Sequence, residues 1–162
     1  MISWKRLALT TALLIGALLL QQTLLRWIAV GSIRPDLLLI VITVIALRHG
    51  SIAGLYAGMA AGLVQDVYAV EALGANSLAK CLVGYGLGIF EEKVVKIMPA
   101  SRVLLLAGAF LFHDAVFLLA AGTRGKDFWN TYFYQSMPSA IYTLVLGAVI
   151  FFCSAALRPR EQ

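Results

Sequence analysis

Charge in this sequence is clumped at the ends of long apolar runs. Lys5 and Arg6, Lys93 and Lys96, and Arg158 and Arg160 flank such runs instead of spreading along helix faces. No single motif constrains the fold as much. A soluble amphipathic helix carries polar residues down one side, whereas a chain solvated by lipid concentrates them where its helices leave the hydrocarbon. Composition agrees: 61% of the 162 residues are hydrophobic and 13% charged, against about half and about a quarter for a soluble domain. The expectation is an all-α integral membrane protein forming a single polytopic domain, 1–162. The net charge of +5 does not imply nucleic acid, because the cations form no aromatic-interleaved basic stripe.

Six apolar segments are predicted as transmembrane helices, about Leu7–Leu25, Leu37–Leu47, Ile52–Val64, Leu78–Phe90, Val103–Ala121 and Ile141–Leu157. The first follows Lys5-Arg6 like a signal peptide, but no small-x-small cleavage site follows it, so an uncleaved span is expected. The second, third and fourth are short. Leu37–Leu47 has eleven residues (47 − 37 + 1), or ~17 Å of helix, where a span needs roughly 20 residues. Either these helices extend into polar flanks buried against protein, or the second and third form a hairpin that enters and returns. Arg48-His49-Gly50-Ser51 is a tight turn in both cases. With the N-terminus inside, eight Lys and Arg fall on the cytoplasmic side and five (Arg26, Arg34, Lys80, Arg124, Lys126) outside, so both termini are expected in the cytoplasm.

Gly50, Gly54, Gly58 and Gly62 recur every four residues, and Gly84 and Gly88 repeat the spacing. Such ladders let helix backbones touch. Packing within the bundle is the ordinary reading, an interface with a partner the other. A polar group is predicted at the outer face, from Arg34, Asp36, Gln65, Asp66, Asn76 and Lys80. It would be either a shallow pocket or a set of paired helix ends. His113-Asp114 lies inside the fifth segment, where an Asp costs ~2.5–3.5 kcal/mol to insert. The pair must therefore face protein or a wet cavity. It is read as a hydrogen bond across the bundle, to Gln22, Tyr85 or Tyr142, or as a functional group. Phe128, Trp129, Tyr132 and Phe133 share one helical face in the last outer loop, suited to the headgroup region or to docking a partner's juxtamembrane segment.

No catalytic constellation is present: no phosphate loop, no His-x-x-x-His pair and no nucleophile elbow. Cys81 and Cys153 read as small buried hydrophobes. No metal or cofactor is expected, and no enzyme.

The order and spacing of Arg34-Pro35-Asp36-Leu37-Leu38-Leu39, Arg48-His49-Gly50 entering the ladder, Gly62-Leu63-Val64-Gln65-Asp66, Leu73-Gly74-Ala75-Asn76, and Lys80 through Gly84-Tyr85 resemble the MreD family of rod shape-determining proteins. The resemblance is most specific from Arg34 to Gly88; the last third matches mainly in hydropathy. It implies a scaffold of the bacterial cell-elongation machinery in the inner membrane, partnering MreC, MreB filaments, and the elongation glycosyltransferase and transpeptidase of lateral peptidoglycan synthesis. It also implies a bundle similar to the substrate-binding subunits of energy-coupling-factor transporters. The rival reading is a vitamin-binding subunit of that kind, with the outer polar cluster as its pocket. A proton-coupled transporter centred on His113-Asp114 is a third.

Overall fold

The computed structural model describes Gly16 and residues 35–68, 72–90 and 99–156, and among these there are helices and turns but no strands. In chain order they are α1 (Leu37–Tyr68), α2 (Ala75–Ile89), α3 (Pro99–Ala120), α4 (Lys126–Thr131), a π-helical turn (Tyr132–Ser136) and α5 (Met137–Ala156). Three stretches are long and apolar enough to cross a membrane: Leu37–Val67, Val103–Ala120 and Lys126–Ile150. The first predicted segment lies outside the described residues, apart from Gly16.

The second and third predicted segments are one element broken at Gly50, which has φ 85° and ψ −178°. That backbone is essentially restricted to glycine. Gly50 is therefore the hinge of a fold-back as well as the end rung of the packing ladder, where its backbone meets Gly88. Leu38 and Ile42 cluster with Ala61, and a Cβ on Gly54 would meet Ala46, so the arms 37–49 and 51–68 run antiparallel. At 1.5 Å per residue they measure ~20 and ~27 Å. Residue count alone would make Leu37–Val67 a generous span; the break at Gly50 leaves each arm short of the ~30 Å hydrocarbon core. Replacing Gly50 by alanine is expected to cost about 1–3 kcal/mol through backbone strain, measurable as a lowered Tm in detergent.

α2 starts at Gly74 without a cap from its own side chains. The cap comes from α1. Asp66 accepts the N–H groups of Asn76 at 3.1 Å and Ser77 at 3.0 Å, and the Ser77 hydroxyl at 2.6 Å. A carboxylate on otherwise unpaired first-turn amides also suits the helix dipole. α3 ends in a Schellman turn at Gly122 (φ 82°), with Thr123 N–H on Leu118 O and Gly122 N–H on Leu119 O. From Lys126 to Ala156 the chain is continuously helical, so the aromatic segment and the sixth predicted segment form one run, not a loop followed by a span. The π-helical turn joins them: Met137 N–H reaches back five residues to Tyr132 O. Pro138, which follows, has no N–H with which to continue the regular pattern.

Large apolar side chains cover the outside, among them Ile52, Leu63, Leu82, Ile89, Leu104 and Ile141, while Asp66, Lys80, His113, Ser139 and Thr143 are buried. An apolar exterior around a partly polar interior suits a lipid solvent and would aggregate in water.

Candidate functional site

The glycine ladder brings α1 and α2 into backbone contact. A Cβ on Gly54 would strike the Gly84 carbonyl, and one on Gly84 the Gly54 carbonyl. Gly58 faces the backbone of Lys80 and Cys81, Gly62 that of Asn76 and Ser77, and Gly88 that of Gly50 and Ser51. The ladder is therefore occupied within the bundle. The helices cross so closely that Lys80, next to Gly58, is forced inward. Its exposure is 0%.

A buried ammonium needs acceptors, and two other helices supply them. Asp36, at the start of α1, receives Lys80 Nζ on Oδ2 at 2.6 Å. Its Oδ1 caps α1 by accepting Leu39 N–H at 3.1 Å. From α3, His113 Nε2 lies 2.9 Å from the same Nζ, and His113 Nδ1 lies 3.0 Å from Asp114 Oδ1. α5 joins through Thr143, whose Oγ1 accepts Asp36 N–H at 3.1 Å and donates to Ser139 O at 2.9 Å. Helix rise places the group ~8–11 Å inside one end of the bundle, measured from the starts of α2 and α5 and the end of α3.

Hydrogen-bond chemistry orders the protons. Lys80 as an ammonium has only donors, so His113 Nε2 accepts. The neutral imidazole then carries its proton on Nδ1 and donates it to Asp114. The result is a line of four side chains, Asp36, Lys80, His113 and Asp114, in which Lys80 is paired with Asp36 and Asp114 accepts from the neutral ring.

Two groups predicted separately are thus one. His113-Asp114 does bond across the bundle, but to Lys80; Tyr85 is exposed, and Gln22 lies outside the described residues. Conversely, the predicted outer cluster divides. Asp36 and Lys80 belong to the charge line, while Asp66 caps α2 with Asn76 and Ser77. Gln65 is half-buried, and its Oε1 is enclosed with no hydrogen-bond partner among the described residues. Arg34 lies outside the described residues. Sequence reasoning missed Thr143 and Ser77, whose roles depend on residues 107 and 11 positions away. Asp66→Ala would strand two amides and a hydroxyl and is expected to cost about 1–3 kcal/mol, read as a lowered Tm of the purified protein.

The aromatic face is a short helix in register with the bundle. Phe128 stacks on Tyr132 and Trp129 on Phe133, with centroids 5.8 Å apart in each pair. Tyr132 donates its hydroxyl to Leu111 O at 3.2 Å, fixing the segment to α3. Trp129 and Phe133 remain more than half exposed. Among the described residues, no group of three or more His, Cys, Asp and Glu is placed to hold a metal ion.

The sequence model of the family described as rod shape-determining protein MreD matches residues 2–157. No curated protein and no solved structure matches the chain.

Proposed function

The chain belongs to the MreD family of rod shape-determining membrane proteins, and on that premise we propose that it is a non-enzymatic scaffold of the bacterial cell-elongation machinery. In this reading it couples MreC and MreB to the glycosyltransferase and transpeptidase of lateral peptidoglycan synthesis, from the inner membrane, with both termini in the cytoplasm. The observation that carries the reading is how the buried polar side chains are used: Asp36, Asp66, Lys80, His113 and Thr143 hold helices to one another. A protein built this way acts through its surface. Orientation gains support from Lys80. Paired with Asp36, it is no loop cation, so the outer count falls from five to four against eight inside.

The exposed aromatic pair Trp129 and Phe133 is the surface proposed for MreC. Aromatic anchors held rigidly dominate interface energies, each contributing more than about 1 kcal/mol. Joint replacement of Trp129 and Phe133 by alanine is expected to leave accumulation in membranes unchanged and to lower co-purification of MreC at least about thirtyfold, roughly 2 kcal/mol. Undiminished capture of MreC by the double variant would contradict this assignment. A purified protein that retains a vitamin instead of MreC would support a transporter subunit.

A further inference from the structure

The line of buried charges joins two halves that are held unequally. α1 and α2 are in backbone contact along most of α2, whereas α3 meets α1 at only a few residues and packs on α2 through side chains, Val83, Leu87, Ala109 and Phe110 sharing one apolar core. Asp36 and Lys80 therefore belong to one tightly packed half, and His113 and Asp114 to the other. Among the described residues, hydrogen bonds that cross between the halves at this level include Asp36 N–H to Thr143 and Lys80 Nζ to His113 Nε2. Of these two, only the second has a titratable group on each side.

With the imidazole neutral, two carboxylates and one ammonium leave the line at a net charge of −1, in surroundings where an uncompensated charge is costly. One added proton removes that excess. If it binds His113 Nε2, the imidazolium pairs with Asp114 at 3.0 Å and the ammonium keeps Asp36 at 2.6 Å. Both pairs are then neutral and self-contained. The contact between them now sets an N–H donor against an N–H donor, so the hydrogen bond at 2.9 Å is lost. The two ends of the line are its more open groups: Asp36 and Asp114 are 13% and 19% exposed, against 0% for Lys80 and 6% for His113.

We infer that His113 is a proton-binding site that acts as a clasp between the two halves of the bundle. With Nε2 bare, α2 is tied to α3; with Nε2 protonated, the tie is released and no charge is left unpaired. Among the described residues, the groups bearing on the ring are Asp36 from α1, Lys80 from α2, and Asp114 and the stacked Phe117 on α3. From the segments beyond α3 come Tyr132, within electrostatic reach of Asp114, and Thr143 on α5 through Asp36. This goes beyond the scaffold reading and is tested without any partner.

The chain has two histidines, so the full-length His49→Gln variant in lipid nanodiscs carries a single imidazole for nitrogen NMR. The expected result is a ring protonated only on Nδ1 at high pH and on both nitrogens as pH falls. A ring that stays neutral while the protein remains folded would overturn the proposal. So would uptake of the proton by Asp114, which leaves the Lys80 bond intact. The second readout is the distance between spin labels at the exposed positions Tyr85 and Phe112, with Cys81 and Cys153 replaced by serine. It is expected to lengthen or broaden at low pH in otherwise wild-type protein. In His113→Gln, which accepts from Lys80 but takes no proton there, it should hold its high-pH value throughout. An equal response in His113→Gln, or none in the wild type, would refute the clasp. Should His113→Gln fail to fold, Lys80→Met combined with Asp36→Asn serves instead, since removing the opposing donor abolishes the response.

Discussion

Replacing Gly58 with leucine is expected to remove nearly all folded protein from the membrane. A side chain at Gly58 meets the backbone of Lys80 and Cys81, and a backbone cannot move aside as the tip of a flexible side chain can. Overpacking a tight core costs about 1–3 kcal/mol even where neighbours adjust; here α1 and α2 must separate, so the loss exceeds about 3 kcal/mol, a large part of the ~5–15 kcal/mol that a domain possesses. Separation also draws Lys80 away from Asp36 and His113, so packing and electrostatics fail together. Quantitative immunoblotting of membranes measures the loss. Gly108→Leu is the control, because a Cβ there meets nothing within 4 Å, and it should accumulate normally.

The second large effect is expected at Lys80. Lys80→Met keeps much of the side-chain volume but leaves Asp36 buried with no cation, and breaking a buried pair costs about 3–5 kcal/mol. The partner's desolvation dominates that figure, since an ordinary hydrogen bond between membrane helices averages only ~0.6 kcal/mol. Adding Asp36→Asn to Lys80→Met should therefore restore most of the lost stability. Asparagine still caps α1 at Leu39, and no carboxylate remains uncompensated at that position. Thermal unfolding of the two single variants and the double variant in detergent checks this. A double variant less stable than either single would mean that the ion pair itself, and not its charge balance, holds the helices.

What was legible in the sequence is what local spacing encodes. Apolar runs with charged ends marked the lipid solvent, and glycines four apart marked a helix contact, because both periodicities follow from the pitch of a single helix. Gly50 carried the same spacing as Gly54 and Gly58 but is also the hinge; position in a ladder does not reveal a φ of 85°. The charge line could not be read because its partners are remote: Lys80 is 44 residues from Asp36 and 33 from His113. A signal was present nonetheless. Lys80 is an isolated cation beside an apolar run and Asp114 an isolated anion inside another, and each required a partner at depth. Asp66 looked like a member of a surface cluster because its ligands, the first amides of α2, leave no mark in side-chain chemistry. The π-helical turn was foreshadowed by Pro138 alone, which shows that a regular helix is interrupted but not how.

The central claim, a scaffold on which rod shape depends, is tested most directly by depleting the protein in its own host and imaging cell shape. The expected result is rounded, swelling cells, restored to rods by the wild-type protein and by Gly108→Leu but not by Gly58→Leu or Lys80→Met. Cells that stay rod-shaped through depletion and instead require an added vitamin would contradict the claim and make the chain a transporter subunit.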